Sequence, residues 1–378
     1  MTTIGIDARK AADFGIGRYI ERLVNGLAGL DSGALSFCLF GGEKALEICR
    51  RATGGDPRFT LLNEPSRSYS LGEHLSLPLA LRRAEVALYH STHYVLPHGP
   101  LPRRVVTSVH DLIHLIYPGY LPSRAALLYA RHFIGRAARR SDAVITGSLA
   151  SRDDLLRFYP RTDPHKVRVI PYGVDGRFRP WSSAAEEDAE REELRGLGLG
   201  GRYLLYVGNF KPHKNLATVL EAYAGCQRQD PETPPLALVG RDLSAQGELE
   251  RLAAGLPDPS RLIGLGRQPD RLLPALYRGA TLFLFLSRYE GFGLPPLEAL
   301  ACGTPVLASR GGSLPEVLGD AAAFTDHEDA GPITRAILSL VNDPRAADRA
   351  RRLGPRQAGR FRWTETAERT LALYRSLL

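Results

Sequence analysis

No apolar run in these 378 residues reaches the ~18 that a bilayer-spanning helix needs. The start, Met1-Thr2-Thr3-Ile4-Gly5-Ile6-Asp7, has neither a basic flank nor a long apolar stretch, so no signal peptide is expected there. Cysteine is scarce. Cys38, Cys49, Cys226 and Cys302 stand apart without any CxxC spacing, which argues against a disulfide scaffold or a structural zinc site and fits a reducing cytoplasm. There is no internal repeat and no low-complexity tract. A complete dinucleotide fingerprint is missing too: after Gly15 and Gly17 the place of the third glycine is held by Ile20, which argues against an NAD-dependent oxidoreductase. No His/Asp cluster suggests a metal, so the expected site has no metal ligands and no cofactor. What remains is 44% hydrophobic and 24% charged, a folded soluble composition. The length exceeds one ordinary core, since single cores stop growing near ~250–300 residues.

The charge is unevenly placed. Residues 1–180 hold 25 Lys and Arg against 16 Asp and Glu, a net +9, while the remainder holds 24 against 25. A cationic first half suits an anionic partner, whether nucleic acid, anionic lipid or a phosphate-bearing substrate, or else reflects solvated arginines. Aromatic stacking clusters and a recognisable binding module are lacking, which argues against nucleic acid.

Short apolar runs alternate with amphipathic helical stretches, which predicts parallel sheet with helices on both faces. Strand candidates are Thr3–Ala8, Leu35–Phe40, Val86–Tyr89, Arg104–Val109, Ala143–Thr146 and Val167–Pro171. After Pro171-Tyr172-Gly173-Val174-Asp175 the chain turns acidic, then glycine-rich at 196–201. A second alternation follows with Tyr203–Val207, Leu236–Val239, Arg261–Leu265, Thr281–Leu286 and Pro305–Ala308. The pattern predicts a first α/β domain over 1–178, a linker with a short solvated helix over 179–200, and a second α/β domain over 201–361. A terminal helix over 362–378 follows. Two such halves make a cleft, with ligands at the carboxyl ends of the strands.

The most specific segment is Ser287-Arg288-Tyr289-Glu290-Gly291-Phe292-Gly293-Leu294-Pro295-Pro296-Leu297-Glu298. A strand ends in a Gly-x-Gly turn and two prolines open a helix, leaving the amides of Gly293 and Leu294 and the positive helix end for an anion such as phosphate. Glu290 and Glu298 border the same turn. Carboxylates repel phosphate, so beside a phosphate site they suit sugar hydroxyls. Singly, each also reads as an ordinary loop or first-turn acid. Together with Ala301-Cys302-Gly303-Thr304-Pro305-Val306, Gly15-Ile16-Gly17-Arg18-Tyr19, Val109-His110-Asp111-Leu112 and Tyr206-Val207-Gly208-Asn209, this segment strongly resembles glycosyltransferase family four. Those are retaining enzymes of GT-B architecture, with two Rossmann-like domains facing a cleft and a final helix that returns to the first domain.

The resemblance implies roles. Glu298 grips ribose hydroxyls, Glu290 faces the donor sugar, and the amides of Phe292, Gly293 and Leu294 hold sugar and diphosphate. His110 contacts the donor sugar, though a lone His is more often a structural residue. Gly15 and Gly17 let backbone approach a ligand closely. Lys214, in the loop after Gly208, neutralises charge on the departing diphosphate. Family members commonly place an arginine directly after that glycine, where this chain has Asn209. Lys211 or an arginine of the first domain replaces it, or leaving-group stabilisation is weaker. Ser313-x-x-Glu316 reads as a capping box, outside the site.

The resemblance implies a metal-independent transferase using a nucleotide diphosphate-sugar, with GDP-mannose favoured over a UDP-sugar by the likeness of the Gly15–Tyr19 and 207–215 segments to bacterial mannosyl- and rhamnosyltransferases of surface polysaccharide assembly. The acceptor is a glycan hydroxyl, on a polyprenyl diphosphate at an anionic membrane or on a small soluble molecule. The expected location is the cytoplasm, peripheral to the inner face of its membrane. The stretch Ser123–Arg140, with Leu127, Leu128, Phe133 and Ile134 beside Arg131, Arg136, Arg139 and Arg140, is the expected membrane contact.

Overall fold

Most strands are short runs rich in branched or aromatic residues and buried along most of their length, as parallel strands covered on both faces are. In a computed structural model, which describes residues 2–13, 15–66, 69–240 and 247–378, they form two wholly parallel sheets. The first contains β1 (Thr2–Asp7), β2 (Leu35–Gly41), β3 (Phe59–Asn63), β4 (Leu88–Ser91), β5 (Arg104–Ser108), β6 (Ala143–Thr146) and β7 (Val167–Val169), in the order β3-β2-β1-β4-β5-β6-β7. The second contains β8 (Leu204–Val207), β9 (Leu236–Val239), β10 (Leu262–Gly266), β11 (Leu282–Phe285), β12 (Val306–Ser309) and β13 (Ala323–Thr325), in the order β10-β9-β8-β11-β12-β13. In each sheet the order reverses once, between β1 and β4 and between β8 and β11. Such switch points open a crevice at the carboxyl ends of the flanking strands, where α/β sheets bind ligands.

The chain divides into two compact units, Met1–Gly173 with Arg362–Leu378, and Val174–Phe361. The first unit thus ends at Gly173 rather than at 178, and the segment expected as a linker is not free. Its helix, here the third to be named after α1 (Ile16–Ala28) and α2 (Arg124–Arg140), is α3 (Ala184–Gly196). Leu194 of α3 is buried, Arg278 forks onto Glu190, and Arg271 pairs with Glu193 at 2.9 Å, all within the second unit. Most of α3 is exposed, and the arginines that hold Glu190 and Glu193 lie some eighty residues away in sequence.

Helix α1 buries Tyr19, Ile20, Leu23, Val24 and Leu27, the face its 3.6-residue spacing predicts. In α2 the expected membrane stripe is not presented: Phe133 and Ile134 are buried in the core with Val109 and Val144, Leu127 packs against that core, and only Leu128 is largely exposed. Arg136 donates to the carbonyls of Leu96 and Pro97, so it too is structural. Among the described residues no helix is long and apolar enough to cross a membrane.

The second unit adds α4 (Leu294–Ala301) and α5 (Leu314–Leu318); α6 (Trp363–Leu377) returns to the first unit. There α6 lies on α1 so closely that a Cβ at Gly26 would sit 2.6 Å from that of Ala367. Thr366 Oγ1 donates to the Pro171 carbonyl at 2.7 Å, and Arg375 to that of Asp31 at 2.8 Å.

Candidate active site

In the second unit both halves of the switch point carry the expected residues. The loop after β8 brings Lys214, and the loop after β11 brings Glu290. Their side chains meet as an ion pair, Lys214 Nζ to Glu290 Oε1 at 2.7 Å, each about 13% exposed. The Phe285 ring lies 5.1 Å from the ammonium. The two loops are also tied by backbone, since Arg288 N donates to the His213 carbonyl at 2.8 Å.

Helix α4 begins at Leu294, with Gly293 before it in the left-handed region at φ 92°. Leu314 would clash with a Cβ at Gly293, 2.6 Å from its Cδ2, so conformation and space both require glycine. Pro295 and Pro296 have no N–H, and Leu297 N donates back to the Gly293 carbonyl. The amides of Gly293 and Leu294 have no hydrogen-bond partner among the described residues and stand at the positive end of α4. Within the first turn and a half of the helix, Glu298 is 3% exposed and accepts from Tyr277 Oη at 3.3 Å. One edge of this sheet therefore holds a lysine, two carboxylates and two free amides, a set suited to a ligand with both phosphate and hydroxyl groups.

Asn209 Oδ1 accepts from Lys211 N at 3.3 Å, while its carbonyl accepts from Tyr206 Oη at 3.1 Å. Gly208 is crowded by Gly240, whose Cβ would lie 2.4 Å from the Gly208 carbonyl oxygen. Lys211 is exposed. A cation that sequence reasoning passed over is Arg288, two residues before Glu290, with Nε 3.3 Å from Asn215 Oδ1 next to Lys214.

The capping-box reading of Ser313 and Glu316 is overturned. Ser313 makes no side-chain cap to α5, whose five residues it precedes; instead its Oγ and N both donate to the Glu290 carbonyl, at 3.1 and 3.0 Å. Gly312, at φ 61°, allows this approach, because a Cβ there would sit 2.3 Å from the same oxygen. Ser313 thus positions the Glu290 loop.

In the first unit, Gly15 and Gly17 open α1 beyond β1. Gly15 has φ 72°, and a Cβ on Gly17 would lie 2.4 Å from the Ala11 carbonyl oxygen. His110 follows β5. Its Nε2 is 2.8 Å from the Thr92 carbonyl, which can only accept, so Nε2 carries the proton and the Tyr172 hydroxyl, 2.5 Å away, donates to Nδ1. Burial lowers the His110 pKa, against the Thr92 hydrogen bond, and keeps the ring neutral. Both of its nitrogens are thus engaged within the chain.

The β1/β4 switch point holds a cluster that sequence reasoning missed. Arg9 forks onto Asp7, with Nη2 to Oδ2 at 2.7 Å and Nε to Oδ1 at 2.9 Å, and reaches Glu73 Oε2 at 2.9 Å. Tyr89 Oη donates to Asp7 at 3.1 Å. Burial pushes the Asp7 carboxyl upward, but the Arg9 charge and hydrogen bonds outweigh it and hold the group below its usual range. Asp7 ending a buried strand and Arg9 just past it were the available signal; Glu73, from a 3-10 turn more than sixty residues on, gave none. Among the described residues, no group of three or more His, Cys, Asp or Glu is arranged to hold a metal ion.

A family model described as Glycosyltransferase Family 4 matches residues 15–177, and one described as Glycosyl transferases group 1 matches residues 189–357. An O-antigen chain mannosyltransferase B of Escherichia coli is 31% identical over 79% of this chain and 76% of its own length. Among solved structures, sucrose-phosphate synthase of Thermosynechococcus elongatus superposes with a TM-score of 0.77 at 21% identity, over 100% of this chain and 99% of that one. Anabaena HepE in complex with UDP-glucose gives 0.76 at 18% identity over the whole of both chains. The fold is GT-B. With a parallel sheet in each unit, paired glutamates around the turn into α4 and these matches along both units, the chain belongs to glycosyltransferase family four and transfers sugar from a nucleotide-sugar donor.

Proposed function

We propose that the protein is a retaining, metal-independent hexosyltransferase that moves a mannosyl group from GDP-mannose to a hydroxyl of a glycan acceptor in surface polysaccharide assembly. The Lys214–Glu290 pair beside the free amides of Gly293 and Leu294 carries this reading. Donor binding takes Lys214 from the carboxylate to the diphosphate, and leaves Glu290 to accept from the sugar hydroxyls. Glu298 accepts from the ribose hydroxyls, with Tyr277 fixing its second edge. As the bond from the anomeric carbon to the diphosphate oxygen breaks, Lys214, the amides of Phe292, Gly293 and Leu294 and the α4 dipole stabilise the charge that a divalent cation would otherwise balance. The acceptor oxygen attacks from the face the phosphate leaves, its proton passing to a departing phosphate oxygen, so configuration is kept without an enzyme nucleophile. Arg288 supplies the second cation that Asn209 cannot. His110, locked neutral by Thr92 and Tyr172, presents a fixed ring to the donor sugar, with Gly15 and Gly17 giving close backbone approach.

Likeness to the Escherichia coli mannosyltransferase supports mannose as the sugar. The excess of basic residues in 1–180 supports a lipid diphosphate acceptor at the inner face of the cytoplasmic membrane. Arg131, Arg139 and Arg140, all exposed on α2, are the attracting groups there, in place of an apolar stripe.

Hydrolysis of GDP-mannose, GDP-fucose, UDP-glucose and UDP-galactose, each with and without EDTA, tests the reading. Release of GDP from GDP-mannose, undiminished by EDTA and faster than from the others, is expected. A rate lost to EDTA and restored by magnesium overturns the electrostatic mechanism, and preference for a UDP-sugar overturns the donor.

A further inference from the structure

The crevice at the carboxyl ends of β1 and β4 closes on a small pocket lined by Asp7, Arg9, Lys10, Glu73, Thr92, His93 and the apolar Val95. Nearly all its polar groups are spent on one another: Arg9 on Asp7 and Glu73, Thr92 Oγ1 on the Asp7 carbonyl at 2.6 Å, and Lys10 on Asp13 at 3.1 Å. His93 is the exception. It is 7% exposed, its Nε2 meets Tyr69 Oη at 3.2 Å, and its Nδ1 is buried with no hydrogen-bond partner among the described residues. An unsatisfied buried nitrogen costs about 1–3 kcal/mol, a cost that a ligand hydroxyl or a water placed on it removes.

The electrostatics select that group. Arg9 and Lys10 balance Asp7 and Glu73, and both cations are already paired, so an anion entering the pocket meets no unspent positive charge. The His93 ring adds none: burial first, then Lys10, His110, His114 and Arg9, lower its pKa far below the usual value. A neutral imidazole with one free nitrogen matches a group that both donates and accepts, which a hydroxyl does and a phosphate oxygen does not. Beside the pocket Tyr69, about half exposed, sets its ring edge-on to His93 at 5.6 Å, with the Lys10 ammonium 4.6 Å from its centroid.

We propose that His93 is an acceptor-binding residue whose Nδ1 hydrogen-bonds a ring hydroxyl of the acceptor sugar, making the first unit's pocket a subsite for a neutral sugar rather than for phosphate. This rests on the transferase reading above but is tested apart from it, because the groups proposed to hold the nucleotide, which GDP probes, lie in the second unit.

The full chain carrying isotope-labelled histidine, with the His93 resonance assigned by its loss in His93→Gln, is titrated with methyl α-mannoside, with inorganic phosphate and with GDP. The mannoside should shift the His93 resonance and phosphate at equal concentration should not. His93→Phe, which keeps a ring but no Nδ1, should weaken the mannoside about tenfold, the worth of one hydrogen bond, and leave GDP affinity unchanged. A shift with phosphate alone makes the pocket an anion site. No shift with the mannoside up to its solubility limit, or unchanged mannoside affinity in His93→Phe, makes His93 structural with a water on Nδ1; each of these results overturns the proposal. If His93→Phe also loses GDP, the variant has misfolded and the wild-type titrations alone decide. If GDP binds while the mannoside fails, the subsite falls and the donor reading stands.

Discussion

Glu298 shows how much one residue's surroundings add to its sequence context. A carboxylate in a first helical turn is ordinary, worth a few tenths of a kcal/mol through the dipole. At 3% exposure, accepting from Tyr277, it is instead a desolvated acceptor. Glu298→Ala should weaken GDP binding by about 1.5–3 kcal/mol, the value of a charge-assisted hydrogen bond, in isothermal titration of the folded variant. Tyr277→Phe, which leaves the carboxylate in place, should cost markedly less. If Glu298→Ala binds GDP as well as the wild type, the residue does not hold the ribose. Lys214, Glu290 and Glu298 were legible because each lies in a local strand–turn–helix pattern with its own chemistry. Ser313 was misread for the same reason, since Ser-x-x-Glu is a local signal for a cap, whereas the Glu290 carbonyl that claims its hydroxyl is twenty-three residues away. Long-range competition for a donor leaves no trace in spacing.

Among elements, α6 follows its sequence most faithfully, running Trp363–Leu377 where its uninterrupted periodicity ends at the chain's last residues. Its fixing point is polar. Tyr374 Oη lies 2.5 Å from His90 Nδ1, His90 Nε2 lies 2.8 Å from Ser108 Oγ, and Ser108 reaches Tyr19 Oη at 3.0 Å, all buried. This chain of bonds joins α6, β4, β5 and α1. Removing one hydroxyl orphans a buried nitrogen, so Tyr374→Phe should lower unfolding free energy by about 1–3 kcal/mol in urea titration, more than the lost area of one oxygen explains. A change below a few tenths would show that the network contributes packing alone. The strands were found by their apolar runs to within a residue or two, except β3 and β13. Phe59–Asn63 is half exposed at a sheet edge and Ala323–Thr325 is an edge strand three residues long, so neither makes the fully buried run that marks the central strands. The stripe on α2 failed differently: a helix face of Phe and Ile beside arginines looks the same whether it meets lipid or a protein core, and here it meets the core.

At the scale of the whole molecule, buried neutral histidines couple stability to acidity. Folded, His90 takes up a proton only near pH about 3, because burial, and then the neighbouring His110, oppose it. Unfolded, it does so near ~6.5. Between those values the unfolded chain binds the extra proton, so stability falls as the pH falls, by about 1.4 kcal/mol per unit from this residue alone. His93 and His110 are displaced in the same direction. Thermal unfolding followed from pH 7.5 to 5 should show the melting temperature dropping steadily, and His90→Gln should flatten the slope. A melting temperature independent of pH in that window would mean that these rings are solvated. The two-unit plan has a further bearing on how such a chain is made. Residues 174–361 form one unit, yet they are synthesised between the two pieces of the other. Gly173 meets the start of α6 so tightly that a Cβ there would sit 2.0 Å from Trp363 N, and Val174 N takes the Phe361 carbonyl at 3.0 Å. On the ribosome the earlier piece must therefore wait, with the α1 face meant for α6 bare, until some two hundred later residues have emerged, while the later unit is complete as soon as Phe361 clears the exit tunnel. The half made first is the half that matures last, and it is this half that a nascent-chain chaperone would have to shield.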